Sequence, residues 1–189
     1  MRGFTLAVDA DLALVLAEPR FADRLAALSR ANREHLARFD PWALGLADVA
    51  AARAALESGV QRFAAGAGVP VLAVVGGQVA GSLGLRLDGA GRSGSVGYWL
   101  GAAYTGRGLA TRAVRALARH GFDELGLVRV EARVEVSNAA SRAVLERVGF
   151  RREGVLRSAA VVDEVVVGDL EVWGLLPADL PADPPPAGT

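Results

Sequence analysis

The segment Gly97-Tyr98-Trp99-Leu100, followed by Tyr104-Thr105-Gly106-Arg107-Gly108-Leu109-Ala110, decides the fold of this chain. The pattern predicts a β-strand that ends in a glycine-rich turn and leads directly into an amphipathic helix. The first turn of a helix leaves backbone N–H groups without partners and carries the positive end of the helix dipole. Because Gly106 and Gly108 leave those amides uncovered, the segment favours a bound phosphate, to which Arg107 or Arg112 would add charge-assisted contacts. The alternative is an ordinary helix-entry turn.

Two other phosphate-binding motifs are excluded by single positions. A dinucleotide fingerprint that begins at Gly106 requires glycine or alanine where the chain has Thr111, and no βαβ unit surrounds it. Residues 76–81 have the glycine spacing of a P-loop, but Ser82 and Leu83 follow where lysine and a hydroxyl residue are required. All 21 basic residues are arginine, which also excludes a Schiff-base lysine.

The composition excludes several classes of protein. A chain of 189 residues, 52% of them hydrophobic, has the size of one compact domain. Its 21 basic and 21 acidic residues cancel, so no overall positive field attracts nucleic acid or an anionic membrane. The absence of cysteine excludes disulfides, thiolate metal sites and a cysteine nucleophile. His35 and His120 have no ligand-spaced partners, and we expect no metal site.

No stretch of the sequence predicts a signal peptide or a membrane span. Asp9 and Asp11 interrupt the short apolar start of the chain. The best apolar runs, 12–17 and 69–75, have the length of strands and fall far short of the ~20 residues of a span. We therefore expect a cytoplasmic protein.

The sequence before the quoted segment predicts one strand, then three helices, and then further strands. Pro19 and Asp48 occupy positions typical of helix starts, and the apolar residues behind Asp48 recur at spacings of three and four. The predicted helices span residues 19–30, 32–38 and 48–65. The predicted strands span residues 12–17, 71–75, 78–87 and 95–101, and the last three form an antiparallel meander.

The second half of the chain predicts a strand, a helix and two more strands. Residues 128–136 alternate valine or alanine with arginine and glutamate, as a half-buried strand does. A helix over 139–148 ends at Gly149, a left-handed cap with an apolar residue after it. Strands follow at 154–162 and 165–176. We expect one domain over residues 1–177 and a disordered proline-rich tail over 178–189.

Several segments carry a resemblance to a known family. They are the quoted stretch from Tyr98 to Ala110, then Arg129-Val130-Glu131-Ala132-Arg133-Val134, Asn138-Ala139-Ala140-Ser141 and Gly149-Phe150-Arg151-Arg152-Glu153-Gly154. In these segments the chain resembles the GNAT acyl-CoA N-acyltransferases. It is most similar to their ribosomal-protein N-terminal (RimJ/RimL-like) branch, which Asn32-Arg33-Glu34-His35-Leu36, Pro41-Trp42 and Asp169-Leu170-Glu171-Val172-Trp173-Gly174-Leu175-Leu176-Pro177 also fit.

This resemblance implies an α+β fold, in which a mostly antiparallel twisted sheet is flanked by helices and splayed between strands 95–101 and 128–136. It also implies that acetyl-CoA lies in the opening, with its pyrophosphate on the turn at 105–110. The implied cofactor-binding residues are Tyr98, Trp99, Leu100, Thr105, Gly106, Arg107, Gly108, Leu109, Ala110, Thr111, Asn138 and Ser141. Thr105 departs from the family's usual Gln or Arg, so we expect altered phosphate contacts there. Asn138 is equally a preferred helix cap.

Three residues are implied to be catalytic: Leu100, Ser141 and Glu34. The backbone N–H of Leu100 would stabilise the oxyanion, a contribution of roughly 2.7 to 4 kcal/mol in enzymes that lost such a donor. Ser141 would protonate the leaving thiolate, because Leu145 stands where many members have a tyrosine. The alternative is that Ser141 is only a small helix residue facing the cofactor. Ala160 lies in the region where this branch often has an acidic residue suited to act as base.

On the acceptor side, the resemblance implies His35, Asp40 and Trp42. Trp42 would cover the acceptor channel or lie in the core, and Asp40 or Glu34 would attract an ammonium group. A site without a strong base favours α-amines, with a pKa of about 8, over lysine amines near 10.4, by roughly 3 kcal/mol. Protons would leave through water or through a polar residue. The candidates are Glu34, His35, Asp163, Glu164 and Asp169, which are also explained as surface carboxylates or ion pairs.

The sequence thus predicts an N-acetyltransferase that moves acetyl from acetyl-CoA to an amine by direct attack in a ternary complex. A protein N-terminal α-amine is the expected acceptor. Two alternatives stay open: a small-molecule amine as acceptor, and a non-catalytic acyl-CoA-binding module. The expected partners are acetyl-CoA and the acceptor, with neither nucleic acid nor membrane, and a homodimer is compatible with the sequence.

Overall fold

The computed structural model describes residues 4–89, 92–162 and 165–181, which form eight strands and five α-helices. The strands are β1 (Thr5–Ala7), β2 (Leu12–Leu16), β3 (Gly68–Val75), β4 (Gln78–Asp88), β5 (Ser93–Leu100), β6 (Arg129–Glu135), β7 (Arg151–Val162) and β8 (Val165–Leu175). The helices are α1 (Ala22–Ala31), α2 (Arg33–Ala37), α3 (Val49–Ala64), α4 (Leu109–Asp123) and α5 (Ala139–Val148). All eight strands form one sheet in the order β1-β2-β3-β4-β5-β6-β8-β7. The expected α+β class is confirmed.

The helices begin and end where local sequence signals place them. Asp48 caps α3, because its Oδ1 accepts the backbone N–H of Ala51 at 2.9 Å. Gly149 ends α5 in a left-handed conformation with φ of 112°. The N–H groups of Gly149 and Phe150 then donate to the carbonyl of Leu145 at 3.1 and 3.0 Å. These caps confirm the predicted ends of both helices.

The two ends of the chain differ from the sequence prediction. β1 was not predicted, because three residues are too few to show an alternating pattern, yet it pairs with β2. Residues 178–181 are not a disordered tail: Arg151 pairs with Asp179 at 2.6 Å, and Arg119 donates to the carbonyl of Pro181 at 2.8 Å. The rest of the predicted tail, 182–189, lies outside the described residues.

The sheet has an apolar core on each face. Successive side chains of a strand point to opposite faces, so the neighbours Val71 and Leu72 on β3 enter different cores. One core joins the sheet to α4 and α5, as the buried residues Leu117 and Leu145 show. The other joins it to α1 and α3. The helical first third of the chain therefore covers one face, and the later helices cover the other.

The centre of the sheet opens between β5 and β6. These two strands run parallel and pair only from Ser93 with Arg129 to Ser95 with Glu131. Beyond that point β5 stays paired with β4 up to Leu100, and β6 stays paired with β8 up to Glu135. The other strand pairs in the sheet are antiparallel. The predicted splay between the two central strands is confirmed.

We expect Gly81→Ala to destabilise the protein by about 2 kcal/mol, because overpacking displaces the end of β5. A Cβ at Gly81 would lie 2.2 Å from the carbonyl oxygen of Trp99 and 2.8 Å from the Cα of Leu100. Chemical denaturation measures the loss. Gly84→Ala on the same strand is the control, because a Cβ there meets no atom within 4 Å. Equal stability of the two variants would contradict the close approach.

Candidate active site

The opening between β5 and β6 forms one large cavity of about 1820 Å³. Its walls come from the two parted strands, the start of α4, α5, α2 and the segment after α2. The predicted site residues that line it are Glu34, His35, Asp40, Trp42, Tyr98, Trp99, Leu100, Thr105, Gly106, Gly108, Leu109, Ala110, Thr111, Asn138 and Ser141. Arg107 is exposed and is not among the lining residues. The structure therefore brings the implied cofactor, catalytic and acceptor residues together around one space.

The turn before α4 presents backbone amides to this cavity. Gly106 and Gly108 both have left-handed backbones, with φ of 72° and 69°. The N–H of Arg112 donates to the carbonyl of Gly108 at 3.0 Å and forms the first bond of the helix. The N–H groups of Leu109 and Ala110 precede this bond, so they have no acceptor within the helix. They are the donors that an anion at a helix start requires.

The polar side chains beside this turn are already engaged. Thr105 Oγ1 donates to the carbonyl of Ala102 at 2.8 Å and closes the short turn before α4. Arg112 forms ion pairs with Asp9 and with Asp11, the latter at 2.9 Å. Arg112, which also lines the cavity, is thus linked to the β1–β2 hairpin. The backbone amides of the turn are the donors beside it that an anion would meet.

The end of β5 directs one backbone amide into the cavity. The N–H of Gly101 donates to the carbonyl of Ala80 at 2.9 Å, toward β4. Since successive N–H groups of a strand point to opposite sides, the N–H of Leu100 points toward β6. β6 has already separated at this level, so this donor faces the opening.

A tyrosine and a serine meet across the cavity. The hydroxyl of Tyr98 on β5 lies 2.7 Å from Ser141 Oγ on α5 and 3.3 Å from the Ser141 carbonyl. Asn138 Oδ1 accepts the N–H of Ser141 at 3.1 Å, which confirms Asn138 as the cap of α5. Burial raises the pKa of Tyr98 to about 12, with a smaller contribution from the Asp40 carboxylate, so the phenol keeps its proton. This pairing was not predictable from sequence, since its partners are 43 residues apart.

The side chain of Trp99 faces away from the implied cofactor position. Tyr98 and Leu100 belong to the core beside α4 and α5, whereas Trp99 packs in the core beside α1 and α3. Its indole is 2% exposed. Alternation along β5 therefore places the Trp99 indole in the core beside α1 and α3, although the residue itself lines the cavity.

Asn32, at the junction of α1 and α2, is held by two side-chain hydrogen bonds. Asn32 Oδ1 accepts the N–H of Ala102 at 2.8 Å, and its Nδ2 donates to the carbonyl of Leu28 at 2.8 Å. The residue thus joins the α1–α2 junction to the loop after β5. Sequence reasoning used Asn32 only as part of a motif and missed this connection.

Asp40 and Trp42 follow α2 and face the cavity. Trp42 is 59% exposed, which places it at the mouth of the cavity and rules out the alternative of core burial. Burial raises the pKa of Asp40 to about 6, although a hydrogen bond from Trp42 partly lowers it. Glu34 and His35 are exposed on α2 at the same side.

The other candidate proton acceptors are placed differently. Asp169 Oδ1 accepts the N–H of Ser158 at 2.7 Å, and Asp169 is not among the residues that line the cavity. Ala160 does line it, so that position supplies no carboxylate. Asp163 and Glu164 lie outside the described residues. Within the described part of the chain, no group of three metal-ligating side chains occurs, and no helix is long and apolar enough to cross a membrane.

The model of the acetyltransferase (GNAT) domain family matches residues 13–151. Together with the splayed sheet and the glycine-rich turn before α4, this match shows that the chain belongs to the GNAT acetyltransferase family. The protein is an acyl-CoA-dependent N-acetyltransferase.

Individual relatives agree with this assignment. The chain is 32% identical, over 165 residues, to "Putative ribosomal N-acetyltransferase YdaF" of Bacillus subtilis (strain 168), which covers 85% of this chain and 88% of that protein. The structure of Mycobacterium smegmatis RimJ in complex with CoA-disulfide matches with a TM-score of 0.83 and 29% identity, over 90% of this chain and 84% of that one. The microcin C7 self immunity acetyltransferase MccE, solved with acetyl-CoA and AMP, shares the fold with a TM-score of 0.83 and 23% identity, over 89% and 94% of the two chains.

We expect Gly108→Ala to weaken binding of coenzyme A at least about tenfold, because the left-handed backbone costs a side chain roughly 1–2 kcal/mol and the turn shifts its amides to avoid this strain. Isothermal titration calorimetry with coenzyme A measures the change. Gly66→Ala is the matched control, since Gly66 has φ of 66° and open space around its Cβ position but lies far from the turn in sequence. A Kd of Gly108→Ala equal to that of Gly66→Ala would contradict the assignment.

Proposed function

We propose that this enzyme transfers acetyl from acetyl-CoA to the α-amine of a protein N-terminus, by direct attack in a ternary complex. The observation that carries the proposal is the single cavity that joins a phosphate-binding turn to an open mouth at Trp42. The similarity to YdaF and to RimJ supports the ribosomal-protein branch. We place this activity in the cytoplasm, where ribosomal proteins are found.

The residues of the cavity fit acetyl-CoA. The free amides at the start of α4 suit a pyrophosphate, and the left-handed glycines leave them open. The edge of β5 beyond Ser95 has N–H groups that no longer face a paired strand, and the two amides of the pantetheine arm have the hydrogen-bonding groups to meet them. Acetyl-CoA supplies an acetyl group that is activated as a thioester.

The chain supplies a hydrogen-bond donor for the negative charge that develops on the carbonyl oxygen, and a proton for the leaving thiolate sulfur. The N–H of Leu100 faces the opening, where it stabilises negative charge on the carbonyl oxygen. Ser141 Oγ holds a proton close to the position expected for the thioester, and the Tyr98 hydroxyl orients it. A preoriented serine and tyrosine argue for catalysis and against a module that only binds acyl-CoA.

The test is incubation of the purified protein with acetyl-CoA and a panel of amines, with product masses measured. The panel contains peptides with free and with blocked N-termini, free lysine and a polyamine. We expect a mass increase of one acetyl group on peptides with a free N-terminus and none on their blocked counterparts. Modification of the small amines alone would show a small-molecule enzyme, and firm binding of coenzyme A without any product would show the non-catalytic module.

We expect Ser141→Ala to lower kcat about 100-fold while the Kd of coenzyme A changes by less than about threefold, because a proton donor acts in the reaction and contributes little to binding. Steady-state kinetics and calorimetry separate these quantities. Ser58→Ala is the control, since Ser58 lies on α3 and its Oγ accepts a hydrogen bond from the Arg62 guanidinium at 3.0 Å. An unchanged kcat would show that Ser141 is only a small helix residue.

A further inference from the structure

The carboxylate of Asp40 occupies an unusual position for an acidic side chain. Asp40 lies between α2 and the turn that begins at Pro41, and its carboxylate is partly buried in the wall of the cavity. The Trp42 indole, two residues later, lies close to it. Tyr98 is close enough for its ionisation to be affected by the charge on Asp40. Asp40 and the Tyr98–Ser141 pair thus line the same cavity.

The other charged groups of the cavity are less suited to take a proton from a buried nitrogen. The groups that line the same cavity are Glu34 and His35 on α2, Arg38 directly after α2, Arg112 on α4, Arg133 and Glu135 on β6, and Arg147 on α5. Glu34 and His35 are exposed to solvent. Glu135 already accepts a hydrogen bond from Ser137 Oγ. Among the described carboxylates of the cavity, Asp40 is half-buried in the wall and lies close to an indole, whereas Glu34 is exposed.

We propose that Asp40 is the base of the reaction: its carboxylate, half-buried in the cavity wall, accepts a proton from the acceptor amine. This inference rests on the proposed function. It assigns the basic role to a residue that the sequence linked only to attraction of an ammonium group.

The protons and electrons of the step balance with these residues. The protonated amine gives one proton to Asp40, and the freed nitrogen lone pair forms the bond to the acyl carbon as the carbon–sulfur bond breaks. Sulfur leaves with that electron pair and takes the proton of Ser141. The second proton that nitrogen loses replaces the one that Ser141 gave. Asp40 passes its proton to bulk water after the product leaves.

The environment gives Asp40 the basicity for this task. Burial raises its pKa to about 6, with the hydrogen bond from Trp42 acting in the opposite direction. A base of this strength is about nine-tenths ionised at pH 7 and is still far more basic than an ordinary aspartate. The catalytic optimum for such a group lies near the operating pH.

The first experiment compares kinetics of Asp40→Asn, Asp48→Asn and the wild type across pH 5–9. We expect kcat/KM of the wild type to fall as pH drops through about 6, and Asp40→Asn to lose at least about 100-fold at pH 7. The kcat/KM of Asp40→Asn should rise with pH, but it should not show the separate fall near pH 6 that is expected of the wild type. Asp48→Asn makes the same carboxylate-to-amide change at a helix cap and should behave as the wild type, since asparagine caps equally well.

The second experiment needs no activity and follows the melting temperature of the protein without ligand. Because the folded-state pKa of Asp40 is raised, its neutral form stabilises the fold below about pH 4, and this contribution is lost as pH rises through about 6. Asp40→Asn should therefore melt at the wild-type temperature at pH 4 and at least about 5 °C higher at pH 8. The melting temperature of Asp48→Asn should follow the wild type at both pH values.

The outcomes separate this inference from the proposed function. An active wild type with an equally active Asp40→Asn would overturn the role of Asp40 and leave N-acetyl transfer standing. A wild type that modifies no amine would overturn the proposed function, whatever the melting temperatures show. Equal melting shifts of Asp40→Asn at pH 4 and pH 8 would show that the carboxylate is not desolvated and would remove the physical basis of the assignment.

Discussion

The separation of β5 from β6 after three residue pairs is the constraint on which the rest of the structure depends. An unpaired strand edge inside a protein is unfavourable, because buried N–H and C=O groups need partners. Here each parted strand keeps a complete ladder on its other side, β5 with β4 and β6 with β8. The opening therefore persists without unfolding the sheet, and the free edge becomes a row of donors and acceptors for an extended ligand.

Helix α5, which forms one wall of the opening, is linked to β8 by a buried carboxylate. Glu171 on β8 is 4% exposed, and it accepts a hydrogen bond from Trp173 Nε1 at 3.0 Å and lies 3.6 Å from Arg142 on α5. A buried carboxylate with an arginine and an indole at this point fixes α5 to the sheet. Ser141 is the neighbour of Arg142 in sequence, so the same anchor sets the distance to Tyr98. This ion pair thus contributes to holding Ser141 in place beside Tyr98.

Much of this architecture is readable from the sequence, because it rests on local patterns. The alternation over 128–136 predicts β6, although Val128 and Val136 lie outside the strand and are exposed. Asp48 and Gly149 predict helix ends through backbone geometry that acts within a few residues. The resemblance to the family then placed the splay and the cavity. Three features could not be predicted from the sequence, because they depend on residues distant in the chain. They are the ion pairs of Arg112 with the β1–β2 hairpin, the face on which the Trp99 indole lies, and the burial that changes the pKa of Asp40.

The two halves of the proposed site are built from different parts of the chain. In the proposed function the donor half uses backbone amides at Leu100 and at the start of α4, so the identity of the side chains there would matter little. Thr105 illustrates this, because its hydroxyl closes a turn and leaves the phosphate to the main chain. The acceptor half uses the side chains of Asp40 and Trp42 on a short segment outside the sheet. Under the proposed function, substitution in that segment would alter which amine is accepted without moving the amides that would bind the cofactor. One splayed sheet would in this way support acetyl transfer to different acceptors.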